Sequence, residues 1–229
     1  MDMKAHVIIV AGGSGSRMQS ETPKQFLLLE GRPLLFYTLE AFYYNVYSPE
    51  ITLVLPASQV GFWEDLVSTH GFKVPHIVQK GGDSRFQSVK NGLSTVEQQT
   101  DLVAIHDGVR PFVSDNTISK CYASAAEYGS GVACVDLKDS IRAIHPEGSK
   151  SQDRSLFKSI QTPQTFQVSA IKNAFLQEEK KTFTDDASVF EADGREVRLV
   201  EGNYFNIKIT TPEDMVFAKA ILMSNKEKT

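Results

Sequence analysis

The chain has 229 residues, of which 41% are hydrophobic, enough for an ordinary globular core and far from a disordered or collagenous composition. Lysine and arginine total 24 against 28 aspartates and glutamates, a net charge of −4, which speaks against nucleic acid as a main partner and makes any basic cluster local. The opening apolar run, residues 7–11, is too short for a signal-peptide core or a membrane span, so the expectation is a cytoplasmic protein with no membrane partner. In chain order, a run rich in β-branched residues at 6–11 leads into a glycine-rich loop, and 27–31 reads as a tight strand-turn. Leu35, Leu39, Phe42 and Tyr43 then share one helical face. A second run at 51–56 precedes another helical face, Phe62, Leu66, Val67 and His70, and a short run at 76–78 precedes a third, Phe86, Val89 and Leu93. The run at 102–106 is followed by the face Ile118, Cys121, Tyr122 and Ala125, with Ser114 or Asp115 as N-cap and Gly129 just past the end. Further runs fall at 132–137, 197–200 and 206–209. The last helix opens with Thr211 as N-cap, Pro212 at its first position and Glu213 and Asp214 in the first turn, where the helix dipole favours acids. This alternation predicts an α/β fold, a Rossmann-like, mostly parallel twisted sheet with helices on both faces. Cys121 and Cys134 sit inside apolar patterns and read as reduced core thiols.

One stretch breaks the pattern. From 136 to 158, nine of 23 residues are charged and no helical period appears. Val135, Leu137, Ile141 and Ala143 alternate with polar neighbours, His145 to Ser149 supplies turn chemistry, and a second extended run leads to Thr162 and Pro163, so a protruding β-hairpin arm is expected. A two-stranded arm is marginal alone, and a second copy of the chain is the simplest thing for it to pack on; the plainer alternative is a solvated loop. Residues 1–229 thus read as one domain with a dimerisation arm at about 136–158.

Three constellations carry chemistry, each at the carboxyl end of an apolar run or in the turn after it, where open α/β sheets hold their ligands. Gly12, Gly13 and Gly15, three glycines in four positions, form a nest whose backbone N–H groups suit nucleotide phosphates. A dinucleotide fingerprint fails because Met18 stands where its third glycine belongs, and a Walker loop fails for want of Gly-Lys-Ser/Thr. What remains is a glycine loop with two following cations, Arg17 and Lys24, able to neutralise charge around a transferring phosphorus. Alone, either would be a solvated surface charge. Next, Gly81 to Ser88 is a strand-to-helix turn whose glycines and Ser88 suit a base edge, or simply a capped helix start. Last, His106-Asp107-Gly108-Val109-Arg110-Pro111 offers Asp107 for a ribose hydroxyl or for Mg²⁺ bridging phosphates, against the plainer reading of an Asx turn. His106 reads as a packed or hydrogen-bonded strand-end residue.

Ala11 to Met18, Pro23-Lys24-Gln25-Phe26, Gly81 to Arg85, His106 to Pro111, Thr162-Pro163-Gln164, Thr184 to Ser188, Val200 to Gly202 and Asn206-Ile207-Lys208 together, in this order over nearly the whole chain, resemble the 2-C-methyl-D-erythritol 4-phosphate cytidylyltransferases. The resemblance implies transfer of CMP from CTP to methylerythritol phosphate with Mg²⁺ as cofactor, release of pyrophosphate and a place in non-mevalonate isoprenoid synthesis. It implies catalytic roles for Arg17, Lys24 and Lys208, nucleotide contacts from Ala11, Gly12, Gly13, Gly15, Gly82, Asp83, Ser88 and Asp107, and substrate contacts from Arg110, Thr162 and Thr184. It further implies a homodimer in which Ser140 and Arg154 reach across from the partner's arm. Gly12 replaces a common alanine and Ser140 a usual threonine; each keeps the needed backbone or hydroxyl group. A ribitol-phosphate-type cytidylyltransferase shares the same loops but ends the 184–188 motif differently. A non-catalytic nucleotide-binding regulator on this fold would be expected to lose Arg17, Lys24 or Lys208, and all three are present.

Overall fold

A computed structural model describes residues 3–12 and 22–226. The β-branched runs become β1 (Ala5–Val10), β4 (Glu50–Leu55), β5 (Ile77–Lys80), β6 (Leu102–Asp107), β7 (Ser130–Asp136) and β11 (Leu199–Glu201), while the tight turn after residue 26 is built from β2 (Leu28–Leu29) and β3 (Arg32–Pro33). With β10 (Lys158–Gln167), they form one seven-stranded sheet in the order β11-β7-β10-β6-β1-β4-β5. Strands β6, β1, β4 and β5 run parallel, and β10 runs antiparallel to both of its neighbours.

Side-chain alternation along the strands sends apolar groups to two cores. Val7 and Ile9 of β1 face one core with α1 (Leu34–Tyr43), α2 (Val60–His70) and α4 (Asp115–Tyr128). Ile8 of the same strand faces the other, with α3 (Arg85–Leu93), α5 (Val168–Ala174) and α6 (Asp186–Ala192). Helices therefore cover both faces, as the alternation predicts. The last helix, α7 (Pro212–Lys226), closes a small third cluster with Leu29, Leu34, Val109 and Ile209, and Asp214 holds its entry by accepting the N–H groups of Thr210 and Thr211 at 2.8 Å each. Among the described residues no helix is long and apolar enough to cross a membrane.

Capping follows the sequence at α4. Ser114 accepts the Thr117 N–H, and Gly129 ends the helix at φ 90°, a left-handed position that costs glycine nothing. Both cysteines are free and buried, and burial pushes the Cys121 thiol up to about 12.

Three expectations need correction. The run at 206–209 is no strand: its polar groups go elsewhere, the Ile209 N–H to the Val109 carbonyl at 2.9 Å and the Asn206 carbonyl to the Arg110 guanidinium at 2.8 Å. The inward face of α2 is centred on Trp63 rather than on Phe62 and His70, which are exposed. The indole buries more apolar area than either, packs between Phe26 and Phe36, and its Nε1–H donates to His76 at 3.0 Å. The extended run to Thr162 continues as a central strand to residue 167, although it contains Pro163. That residue lies where the pairing with β7 shifts register, between Ile160 and Gln164, so no ladder bond needs its missing N–H.

The hairpin is β8 (Ile141–His145) paired with β9 (Gly148–Gln152), leaving the sheet after β7 and rejoining it at β10, where Asp136 and Lys158 face each other as an ion pair. Ile144 and Leu156 on this arm are 80% and 79% exposed.

Candidate active site

At the carboxyl end of the sheet, β1 leads into Ala11 and Gly12, β6 ends in His106 and Asp107, and the turn after β5 carries Gly82 and Asp83. Ser84 caps α3 by accepting the Gln87 N–H at 3.0 Å. The turn at Gly82 is too tight for any side chain, since a Cβ there would stand 2.4 Å from that of Gln87. Ser88, on the first turn of α3, accepts the Gly82 N–H at 3.1 Å and so pins the turn to the helix. The capped helix start and the ligand-facing turn are thus one object.

Ala11, Gly12, Lys24, Gly82, Asp83, Ser88, Asp107 and Lys208 line a cavity of about 240 Å³, which brings together most of the residues expected at the nucleotide. Gly13, Gly15 and Arg17 lie outside the described residues. A second cavity of about 250 Å³ is lined by Arg110, Thr162 and Thr184, the expected substrate residues, with Asp107, Lys208 and Arg85. Asp107, Lys208 and Arg85 line both cavities. Ser140 and Arg154 lie on the arm, line neither cavity of their own chain, and Arg154 bonds the Lys138 carbonyl.

Asp107 is the hub. Arg110 Nε and Lys208 Nζ both approach its Oδ2 at 3.1 Å. Burial pushes its carboxyl up, but Lys208, Arg85 and Arg110 outweigh that and hold it well below the usual carboxylate range, so it is ionised. Its N–H donates to the Thr162 hydroxyl at 3.1 Å. Asn206 ties the last loop into the same site: its side chain donates to the Thr162 carbonyl at 2.8 Å while its own carbonyl receives Arg110, and this brings Lys208 to Asp107. Neighbouring His106 is fully buried, and desolvation lowers it to about 4.

Sequence reasoning left Arg85, Asp186, Gln164 and Gln25 without roles. Arg85 grips the fully buried Asp186 with two bonds, 2.8 and 2.6 Å. Burial opposes its charge, yet Asp186 raises the guanidinium above its ordinary value. Gln164 bonds both Asp185 and the Ala187 N–H at 2.8 Å, while Asp185 and Ser188 form a reciprocal capping box on α6, and Thr184 is carried on that assembly. Gln25 donates to the Ala11 carbonyl at 2.8 Å and to Gln59, which fastens the segment carrying Lys24 to the end of β1. The signal for all four was present, since each lies within or beside a quoted motif, but their partners are remote in sequence.

Among the described residues, each cavity carries three cations against two carboxylates, a surplus that suits polyanionic ligands. No group of three or more His, Cys, Asp or Glu among them is spaced to hold a metal alone. An ionised Asp107 beside both cavities does fit Mg²⁺, which binds through one or two carboxylates together with substrate phosphates.

The family described as IspD, 2-C-methyl-D-erythritol 4-phosphate cytidylyltransferase, matches residues 5–224. Proteins of that name from Phocaeicola vulgatus and Bacteroides thetaiotaomicron are 48% and 49% identical over 220 residues, covering 96% of this chain and 100% of each relative. The crystal structure of 4-diphosphocytidyl-2C-methyl-D-erythritol synthase from Anaerococcus prevotii superposes with a TM-score of 0.83 at 30% identity, covering 97% of both chains.

Proposed function

The chain belongs to the 2-C-methyl-D-erythritol 4-phosphate cytidylyltransferase family and transfers CMP from CTP to that alcohol phosphate in isoprenoid biosynthesis, and from this premise we propose which residues do the work. The first cavity takes CTP and the second the alcohol phosphate. A phosphate oxygen of the acceptor forms a bond to the α-phosphorus of CTP, the bond from that phosphorus to the bridging oxygen breaks, and pyrophosphate leaves with the electron pair. The observation that carries this assignment is the shared lining: Asp107, Arg85 and Lys208 belong to both cavities, so the two ligands meet at these residues.

Lys208 and Lys24, with Arg17, neutralise charge that grows as the phosphorus becomes pentacoordinate. Ala11, Gly12, Gly13 and Gly15 wrap the triphosphate with backbone N–H groups, and Gly82, Asp83 and Ser88 face the base. Arg110, Thr162 and Thr184 hold the acceptor. Asp107 would hold Mg²⁺, which when bound supplies charge neutralisation along the triphosphate. Residues 1–229 act as one nucleotidyltransferase domain, and CTP as substrate together with two free buried thiols supports a cytoplasmic location.

The arm makes a homodimer, with Ser140 and Arg154 completing the partner's acceptor cavity; its exposed Ile144 and Leu156 support that reading. Pyrophosphate release with CTP, UTP, ATP and GTP, each with methylerythritol phosphate and with ribitol 5-phosphate, tests the reaction: CTP with methylerythritol phosphate should dominate, and equal turnover of ribitol phosphate would overturn the acceptor. Lys24→Met and Arg154→Met, each nearly inactive alone, test the dimer when unfolded together and refolded in equal amounts. Half the dimers are then mixed and each has one intact site, so roughly a quarter of wild-type activity should return. No recovery would assign Arg154 to its own chain.

A further inference from the structure

His106 ends β6 one position before Asp107, is fully buried, and has the Phe42 ring edge-on at 4.9 Å. Its ring nitrogens have different partners. Nε2 lies 3.1 Å from the Arg110 carbonyl oxygen, which can only accept, so Nε2 carries a proton. Nδ1 lies 3.0 Å from the Thr162 hydroxyl. Both partners are neutral, and the Asp107 carboxylate is turned toward Arg110 and Lys208, so a cationic ring would sit buried without a counter-charge. The ring is therefore the neutral Nε2–H tautomer, Nδ1 is an acceptor, and the Thr162 hydroxyl donates to it. The same Thr162 oxygen accepts the Asp107 N–H at 3.1 Å, which leaves it one lone pair and no proton. Thr162 lines the second cavity.

We propose that His106 is a positioning residue that fixes the direction of the Thr162 hydroxyl, so that Thr162 accepts a hydrogen bond from a polyol hydroxyl of the acceptor and gives none to its phosphate. This rests on the reading of the second cavity as the acceptor's site. A phosphate oxygen facing that lone pair would meet repulsion, so the phosphate falls to the cations Arg110, Arg85 and Lys208, and the cavity selects acceptors with a hydroxyl opposite Thr162.

Long-range ¹⁵N spectra of the histidine-labelled wild-type enzyme, with His106→Gln to assign the signal, read the tautomer directly. A protonated Nε2 and an unprotonated Nδ1 are expected; the reverse pattern or a doubly protonated ring overturns the proposal. In kinetics, Thr162→Val should raise the acceptor KM about 10-fold with the CTP KM within about twofold, and Thr162→Ser should restore wild-type values. Acceptor analogues with one hydroxyl at a time replaced by hydrogen or by fluorine show which way the bond points. One position should lose about 10-fold in kcat/KM with either replacement in wild type and nothing in Thr162→Val, because fluorine can accept but cannot donate. If the fluoro compound is used as well as the parent where the deoxy compound is not, Thr162 donates and the proposal fails. If every deoxy penalty persists in Thr162→Val while the acceptor KM has risen, Thr162 meets the phosphate and the proposal fails. If the tautomer is as expected but Thr162→Val leaves the acceptor KM unchanged, the acceptor-site reading itself is wrong, and the inferred selectivity falls with it.

Discussion

Near the amino end of β1, His6 is buried beside Thr52 and Thr95; at the carboxyl end of β6, His106 is buried beside Thr162. Desolvation lowers both rings to about 4. At His6 the hydrogen bonds run one way: Thr95 donates to the Gly92 carbonyl at 2.8 Å, so Thr52 donates to Thr95 at 2.7 Å, and His6 Nε2–H donates to Thr52 at 2.9 Å. That chain ends on a backbone carbonyl within the fold. At His106 the bonds run the other way: the Thr162 hydroxyl donates to Nδ1 and Nε2–H donates to the Arg110 carbonyl, and Thr162 lines a cavity, next to a carboxylate shared by two cations. Both sites join a buried neutral ring to a threonine, and the difference is direction and place: at His6 the ring donates to a threonine inside the fold, where the bonds contribute stability, whereas at His106 the ring accepts from a threonine that lines a cavity and is available to a ligand.

The largest expected effect shows that the carboxyl end is also structural. Arg85→Met leaves the fully buried Asp186 without its partner, and urea unfolding should show a loss of about 3–5 kcal/mol, largely restored by adding Asp186→Leu. Next comes the functional asymmetry. Lys24→Ala or Lys208→Ala should lower kcat by ~10²-fold or more in a pyrophosphate-release assay, whereas His6→Gln should leave kcat within about twofold. A loss confined to KM would make the lysines ground-state binders.

A smaller effect separates stability from activity by pH. His6 has a folded pKa of about 4 against an unfolded value of 6.5, so between these the unfolded chain binds more protons and stability falls as pH falls. His6 alone should cost about 2 kcal/mol between pH 7 and pH 5, and unfolding curves of His6→Gln should be flatter over that window by this amount. The smallest effect tests whether that ring is neutral. Glu50, 63% exposed at its side chain, lies 3.6 Å from His6 Nδ1, and Glu50→Gln should change stability at pH 7 by less than about 0.5 kcal/mol. A loss of several times that would mean a charged His6, and the symmetry between the two ends would break.

Local signals were enough for much of this protein. β-branched runs and helical faces fixed the alternation of strands and helices, Ser114 and Gly129 bounded α4, and the composition of 136–158 set the arm apart. The glycine turns, Lys24 and Asp107 could be named because their neighbours in sequence supply the context that gives them meaning, and Arg110 and Lys208 because the ordered motifs carry a family resemblance. The rest depended on partners far along the chain. Arg85 meets Asp186 across 101 positions, Thr162 meets His106 across 56, and Asn206 meets Thr162 across 44. Nothing periodic links such residues. The polar, proline-bearing segment that became β10 shows why: Gln161, Thr162 and Gln164 are buried not because their composition favours it but because β6 and β7 flank the strand in the sheet and the surrounding site supplies their hydrogen bonds. Most strands and helices, and the loops that carry cations and glycines, were set locally, since propensity and period act within a few residues; the run at 206–209 and the course of β10 were not. The strand order, the ion pairs of the site and the direction of the Thr162 hydroxyl were decided only by the tertiary structure, because each depends on which distant backbone and side-chain groups packing brings within hydrogen-bonding distance.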